Sequence, residues 1–219
     1  QTNRVMNNLE KVYQHHHTLH HRQGVSVMKD ERTDLWCQAI GTGRRVLDLG
    51  CRDGTLTSCF VMDNEVLGVD IDQAALVIAA QNLPLKTLFM DLNSDWPELG
   101  NSKFDVVVAG EVLEHLYFPD QVIRKVLNHL NKNGIFLGSV PNAFSLRHRL
   151  RYLFGQKLYT PLNDPTHINQ FSYQELQQLL ASCFQQVDII GLGRFKWLAR
   201  HWPSWFAFDL VWIASSPKI

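Results

Sequence analysis

Residues 109–116, AGEVLEHL, bring two carboxylates and a histidine close together. If the segment forms a helical turn, Glu111 and Glu114 at positions i and i+3 project on the same side, with His115 beside them. Such a group can hold a divalent cation or accept a proton, because a neutral imidazole is available near pH 7. His167 adds a distant imidazole, shortly before a Ser-x-x-Glu pattern that predicts the start of a helix.

The second chemical feature is a glycine-bearing turn in residues 46–57, VLDLGCRDGTLT. Its first half predicts a strand covered on both faces, and Gly50 and Gly54 leave room for a ligand to approach bare backbone. The next strand ends on Asp70, where a carboxylate can accept both ribose hydroxyls of a nucleoside. Because the turn lacks a Gly-Lys-Ser/Thr triphosphate motif and Asp48 lies inside the first strand, we predict a nucleoside cofactor.

These groups need a scaffold, and the hydrophobic pattern predicts one in which strands alternate with helices. Strands separated by helical segments pair in parallel through right-handed crossovers, which predicts a doubly wound α/β sheet. We predict strands over 46–49, 65–70, 86–90, 104–109, 135–140, 186–190 and 206–214, helices over 29–40, 73–82, 120–130 and 173–181, another helix ending near 61, a turn at 131–134, and an irregular stretch over 142–170.

Residues just beyond the strands are candidate ligand contacts, since open parallel sheets bind ligands at the carboxyl ends of their strands. Asp91 and Leu92 follow the third strand, and Gly110 follows the fourth. Asp91 is also readable as an ordinary polar turn residue, because Asp favours turns in any case.

The glycine turn and the strand ending in Gly68-Val69-Asp70 resemble the first two motifs of class I S-adenosylmethionine-dependent methyltransferases, V-L-D-x-G-C-G-x-G and G-x-D. The resemblance implies a Rossmann-like seven-stranded sheet of order 3-2-1-4-5-7-6, with the last strand antiparallel and helices on both faces. Arg52 departs from the family, which usually has glycine there, and this puts cofactor affinity in question. The resemblance also implies S-adenosylmethionine as cofactor and S-adenosylhomocysteine as product, held by Asp48, Gly50, Cys51, Arg52, Gly54, Asp70, Ile71, Asp91, Leu92 and Gly110.

Glu-x-x-Glu-His followed by a distant His-x-x-x-Phe resembles two metal-dependent branches of that family: ubiquinone-biosynthesis O-methyltransferases and small-RNA 2′-O-methyltransferases. The resemblance implies that Glu111, Glu114, His115 and His167 would hold Mg²⁺ or Mn²⁺ against substrate oxygens, with His115, Glu111 and His167 as catalytic residues. A bound cation lowers the pKa of a hydroxyl. Many methyltransferases carry a similar turn without a metal, and His115 or His167 would then act as a general base.

The expected activity is methyl transfer to an oxygen of a small-molecule, sugar or lipid-linked acceptor. Val140-Pro141-Asn142, after the fifth strand, is similar to a branch that modifies sugars and lipid-linked intermediates. Two alternatives stay open: an RNA 2′-O-methyltransferase, and a cofactor-binding partner protein without catalysis, for which Arg52 is the supporting feature.

Composition bounds these interpretations. The 219 residues include 21 basic and 21 acidic ones, so the overall field does not draw the chain to nucleic acid or an acidic membrane. Four cysteines without C-x-x-C spacing and the lack of a long apolar run predict a cytoplasmic protein. We predict a helical lid over residues 1–42, with a solvated histidine cluster at 15–21, and a methyltransferase domain over 43–219 with a substrate-specific insert near 142–170.

Two local runs, 142–157 and 194–205, mix basic and aromatic residues. They are candidates for peripheral contact with a membrane surface, and RNA is an alternative ligand. In the competing interpretation, the aromatic side chains pack beneath the last strands while the charges stay in water.

Overall fold

The structure, a computed structural model, describes residue 11 and residues 28–218. Most of the predicted lid, including the histidines at 15–21, lies outside the described residues. The described part contains one seven-stranded sheet of order β3-β2-β1-β4-β5-β7-β6. The strands are β1 (Arg45–Leu49), β2 (Glu65–Asp70), β3 (Lys86–Phe89), β4 (Phe104–Gly110), β5 (Leu130–Pro141), β6 (Phe184–Leu192) and β7 (Asp209–Pro217).

Strand pairing agrees with the predicted doubly wound topology. The strands β1 to β5 pair in parallel, while β7 lies antiparallel between β5 and β6. The carboxyl ends of β1 to β6 therefore share one edge with the beginning of β7. We call this the carboxyl edge of the sheet.

Helices cover both faces of the sheet, because alternate strand residues are apolar on each side. Val46 packs in a core with Trp36 and Ile40, whereas its neighbour Leu47 belongs to the opposite core with Val122. The helices are α1 (Lys29–Ile40), α2 (Gln73–Asn82), α3 (Pro119–His129), α4 (Leu146–Leu153), α5 (Tyr173–Cys183), α6 (Lys196–His201) and the single-turn α7 (Pro203–Phe206). This arrangement is the predicted α/β Rossmann-like fold.

Several element predictions were wrong in detail. The segment before residue 61 holds only a 3₁₀ helix, Thr57–Cys59, because hydroxyl side chains there bond locally, as Ser58 Oγ does to the Thr55 carbonyl at 2.9 Å. The stretch 142–170 is not wholly irregular, since its leucines recur at helical spacing and form α4. Residues 131–134 continue β5 rather than forming a separate turn.

Candidate functional site

The turn after β1 has a backbone that requires glycine at two positions. Gly50 and Gly54 have φ of 69° and 79°, in the left-handed region. A Cβ atom on Gly50 would lie 2.6 Å from Val112 Cγ2, so this position is also closed to larger residues by packing. The amides of Gly50 and Cys51 both donate to the Val69 carbonyl, at 2.8 and 3.1 Å, which ties the turn to β2.

Arg52 takes the same left-handed backbone that a glycine would take, with φ of 51°. Its amide donates to Asp70 Oδ2 at 2.9 Å, and its Nε lies 3.5 Å from Asp53 Oδ1. The turn therefore keeps its shape despite the departure from the family motif. A non-glycine residue in this conformation costs about 1 kcal/mol or slightly more.

Asp70 ends β2 directly beside this turn, as predicted. One carboxylate oxygen accepts from Arg52, and the other accepts from the Asp72 amide at 2.8 Å. The residue is 7% exposed. These backbone bonds fix the orientation of the Asp70 carboxylate beside the glycine turn. Ile71 follows it and is half-buried.

Asp48 lies beneath the turn rather than at its surface. Its Oδ2 accepts a hydrogen bond from Thr57 Oγ1 at 2.6 Å, and the residue is buried. Burial raises the pKa of Asp48 to about 7, the Thr57 bond opposes that rise, and the Asp70 carboxylate adds to it. Asp48 thus links β1 to the segment that follows the glycines.

Asp91 and Leu92 follow β3 at the same edge. Asp91 Oδ1 accepts from the Asn93 amide at 2.9 Å, which closes a side-chain turn. Leu92 is buried, and its carbonyl accepts from Trp96 Nε1 at 3.3 Å. Both residues therefore shape the loop beside Asp70.

The turn after β4 differs from the predicted helical turn. Glu111 has a left-handed φ of 57°, and a 3₁₀ helix begins only at Leu113. Glu111 therefore does not share a helical face with Glu114. Its Oε1 instead accepts from Ser139 Oγ at 2.8 Å and lies 3.4 Å from Arg32 Nη2.

Three of the four predicted metal ligands come together. Potential ligand atoms of Glu114, His115 and His167 all lie within 4.8 Å of one another. The two imidazole rings meet edge to face with centroids 4.9 Å apart, and His115 Nε2 lies 3.9 Å from Glu114 Oε1. Glu111 is not part of this group, which we call the Glu-His-His cluster.

The tautomer of His115 follows from its surroundings. Nδ1 lies 2.9 Å from the Thr166 carbonyl, which can only accept, so Nδ1 carries the proton and Nε2 carries the lone pair. Burial and, to a smaller extent, the nearby His167 lower the pKa of His115 to about 4, and the Thr166 bond opposes this shift. The ring is therefore neutral at pH 7, and its lone pair is on Nε2.

Glu114 is a buried carboxyl group at the centre of the cluster. It is 2% exposed, and neither oxygen has a hydrogen-bond partner in another described residue. Burial raises the pKa of Glu114 well above its usual range, and the Glu111 carboxylate raises it further. A negative charge on such a group is costly unless a nearby cation compensates it.

The segment that carries His167 is anchored to the turn after β4. The Asn169 amide donates to the Glu114 carbonyl at 2.9 Å, and Asn169 Nδ2 bonds to the Leu116 carbonyl. The predicted capping box at Ser172 is present, with Glu175 as its partner. These contacts set His167 opposite His115.

The sequence interpretation missed a buried ion pair behind the site. Arg32 of α1 and Asp209 of β7 are each 1% exposed, and Arg32 Nη2 bonds to Asp209 Oδ2. The same guanidinium lies 3.4 Å from Glu111, so Arg32 is close to both a buried and a half-buried carboxylate. The sequence did contain a signal for this pair, because Asp209 lies alone in the apolar run 206–214 and a buried charge needs a partner.

The described part of the chain is thus a Rossmann-like domain with a glycine turn after β1, Asp70 at the end of β2 and a turn with carboxylate and histidine side chains after β4. Residues 18–183 match the family described as a methyltransferase domain. The chain belongs to this S-adenosylmethionine-dependent methyltransferase family.

Relatives in sequence carry related names. A probable S-adenosylmethionine-dependent methyltransferase of Mycolicibacterium smegmatis is 30% identical over 160 residues, covering 72% of this chain and 58% of the relative. A ubiquinone biosynthesis O-methyltransferase of Glaesserella parasuis is 27% identical over 153 residues, covering 66% of this chain and 64% of the relative. The chain thus spans less than two thirds of each relative's length.

Solved structures show the same fold. An S-adenosylmethionine-dependent methyltransferase of Thermotoga maritima, described as a possible histamine N-methyltransferase, has a TM-score of 0.64 at 13% identity, covering 94% of this chain and 95% of that one. A methyltransferase of Archaeoglobus fulgidus has a TM-score of 0.62 at 19% identity, covering 84% and 91%.

Proposed function

We propose that this chain binds S-adenosylmethionine and transfers its methyl group to an oxygen of a small-molecule, sugar or lipid-linked acceptor. The observation that carries the choice of oxygen is the neutral His115, whose Nε2 lone pair faces Glu114 and His167. The relatives named ubiquinone biosynthesis O-methyltransferase support the same choice.

The residues of the first turn would hold the cofactor. Asp70 would accept the ribose hydroxyls, Gly50 would admit the cofactor close to the backbone, and Asp91 would face the adenine. When bound, S-adenosylmethionine supplies a sulfonium methyl group that is already activated toward a nucleophile. The chain's task is to align an acceptor oxygen with that methyl group, because positioning alone supplies a large part of such catalysis.

His115 would accept the acceptor's hydroxyl proton at Nε2, while its Nδ1 bond to Thr166 keeps the ring oriented. A base with a pKa of about 4 removes a proton efficiently only from a hydroxyl that is itself acidified. In the absence of a cation at its Nε2, His115 therefore suits a hydroxyl that is acidic by itself.

A divalent cation is the second element of the proposal, and the Glu-His-His cluster fits one. Glu114 has two buried carboxyl oxygens without a partner in another described residue, and His115 presents an unprotonated nitrogen. Glu114, His115 and His167 would hold Mg²⁺ or Mn²⁺, and the His115 Nε2 lone pair would then bind the cation and would not accept the acceptor's proton. When bound, the cation would lower the pKa of an acceptor hydroxyl.

Calorimetry with S-adenosylmethionine tests the first part of the proposal. We expect binding by the full chain, and its absence at millimolar cofactor would overturn the enzyme assignment. Binding without methyl transfer to any phenolic, sugar, lipid-linked or RNA acceptor would instead favour the non-catalytic partner. Transfer only to the 3′ end of RNA would favour the RNA 2′-O-methyltransferase.

Titration with Mn²⁺ tests the cation separately. Glu114→Ala and His167→Ala should each abolish Mn²⁺ binding and leave S-adenosylmethionine affinity within about twofold, since neither residue lies in the first turn. Glu98→Ala, at an exposed position, is the control. Loss of both ligands together would show a structural role for the cluster and contradict the cation site.

A further inference from the structure

Two segments beside β7 carry positively charged side chains and no acidic ones. Residues 143–163 and 189–208 together contain seven Arg or Lys residues and no Asp or Glu, from Arg147, Arg149, Arg151, Lys157, Arg194, Lys196 and Arg200. Because the whole chain has 21 basic and 21 acidic residues, the remainder holds 14 basic and 21 acidic ones, a formal charge of −7. The neutral total therefore hides an excess of positive charge in these two segments.

Helix α4, within the first segment, points its apolar face outward. Leu146, Leu150 and Leu153, at i, i+4 and i+7, are 36%, 50% and 76% exposed, whereas His148 between them is 1% exposed. An amphipathic helix of a globular protein normally turns such a face toward the core. This face of α4 is therefore built to meet something other than the rest of the described chain.

Aromatic side chains are exposed on α6 and α7. Trp197 is 62% exposed, and Trp202 and Trp205 are 48% and 46% exposed. The interpretation that these aromatics all pack beneath the last strands is wrong for these three residues. Tryptophan combines a large apolar ring with a polar N–H group, which suits the boundary between water and lipid headgroups.

The two segments form one surface. The Arg149 guanidinium lies 4.8 Å from the centroid of the Trp205 ring, and Asn142 Nδ2 donates to the Pro203 and Ala207 carbonyls at 3.1 and 3.0 Å. The first segment leaves β5 and the second joins β6 to β7, so both lie at the carboxyl edge. We call the exposed residues of 146–159 and 194–206 the basic aromatic surface.

We propose that the basic aromatic surface docks onto an anionic lipid bilayer. The leucines and tryptophans would enter the headgroup region, and the basic side chains other than Lys196, which pairs with Glu31 of α1 at 2.8 Å, would meet the acidic headgroups. No described helix is long and apolar enough to cross a membrane, so the contact would be peripheral.

Two other occupants fit the surface less well. Single-stranded RNA would use the aromatic rings and the charges but not the aliphatic face of Leu146, Leu150 and Leu153. A second copy of the chain, docked through the same patch, would bring two groups of positive charges together. The combination of aliphatic, aromatic and basic side chains favours lipid.

Vesicle co-sedimentation of the full chain tests this inference independently of methyl transfer. We expect binding to phosphatidylcholine vesicles containing phosphatidylglycerol, with much weaker binding to pure phosphatidylcholine and at high salt. Each basic side chain near an anionic surface strengthens binding by about fivefold, so Arg200→Glu should weaken it by at least that factor.

A matched pair of variants tests the apolar component. Leu153→Glu should weaken vesicle binding by about tenfold or more, whereas Met62→Glu should leave it unchanged. Leu153 and Met62 are 76% and 74% exposed, and Met62 precedes β2 at the opposite edge of the sheet. Equal melting temperatures would show that both variants fold.

Four results would overturn the inference: no binding to anionic vesicles, equal losses in the two variants, retention on single-stranded RNA without vesicle binding, or a dimer that Leu153→Glu dissociates.

Discussion

The site has two halves that are built in opposite ways, and we name them after the roles proposed above. The cofactor half is the glycine turn with Asp48 and Asp70, and the acceptor half is the Glu-His-His cluster with Arg32, Glu111 and Asp209. In the cofactor half, the polar groups of Asp70 and Asp48 are met by nearby amides and hydroxyls within residues 48–72. In the acceptor half, the Arg32 guanidinium lies near the carboxyl groups of Glu111, Glu114 and Asp209. In the cofactor half, hydrogen bonds from nearby residues therefore meet the polar groups. In the acceptor half, the carboxyl groups outnumber the guanidinium beside them, and a substrate or cation can compensate that excess.

Removal of the Arg32 guanidinium should have the largest effect on the difference between the two halves. Arg32→Ala leaves Asp209 buried without a positive partner, and we expect the free energy of unfolding to fall by about 3 to 5 kcal/mol. Urea unfolding measures it. Arg45→Ala, which breaks an ion pair with Glu65 whose side chains are 51% and 56% exposed, should change stability little. Equal effects would mean that the buried charge does not hold the acceptor half together.

Asp70→Asn should damage the cofactor half specifically. The variant loses the charge that we expect to bind ribose hydroxyls, so affinity for S-adenosylmethionine should fall by about tenfold to a hundredfold. Calorimetry measures this loss, and Asp63→Asn, at an exposed position, is the control. Unchanged affinity, or an equal loss of Mn²⁺ binding, would contradict the separation of the two halves.

The acceptor half should also be visible in the pH dependence of stability. Because the pKa of His115 falls from 6.5 to about 4 on folding, the unfolded chain binds more protons between these values. The free energy of unfolding should therefore decrease as the pH falls from 6.5 toward 4, by about 1 to 2 kcal/mol given the partial exposure of the ring.

Comparison with His115→Gln isolates this contribution, since the variant should lack it. Asp48, whose pKa is raised to about 7, acts in the opposite direction, because its protonated folded form loses stability as the pH rises toward 7. That opposing slope is common to both proteins and cancels in their difference. Identical pH profiles would place the His115 ring in a more solvated site than the structure shows.

Arg52→Gly should have the smallest effect. Glycine relieves the left-handed backbone but adds freedom to the unfolded chain, so we expect a gain of up to about 1 kcal/mol in unfolding free energy. Arg44→Gly is the control, because Arg44 is not among the described residues with positive φ. A loss of stability in Arg52→Gly would show that the Arg52 side chain, through Asp53, stabilises the turn.

Much of the fold was predictable, and the failures have physical causes. Helix α1 ends at Ile40 as predicted, because the next residue, Gly41, takes a positive φ of 68° that needs glycine. Helix α4 escaped prediction because its leucines face solvent, so their helical period did not indicate a core face. The predicted helical turn at 111–115 failed because Glu111 takes a left-handed backbone, a choice that contacts with Ser139 and Arg32 support.

The sequence by itself determined the class of fold and the position of the glycine turn after β1. Residues 46–70 carry that information locally, since strand, glycine turn and Asp70 are bonded to one another over short separations. Only the tertiary structure decided the acceptor half, which joins Arg32, the turn after β4, His167 and Asp209 across most of the chain. Charge and desolvation act between residues that are close in space, even where they are distant in the chain. The spacing of residues in the sequence therefore predicts neither this grouping nor the outward direction of the apolar face of α4.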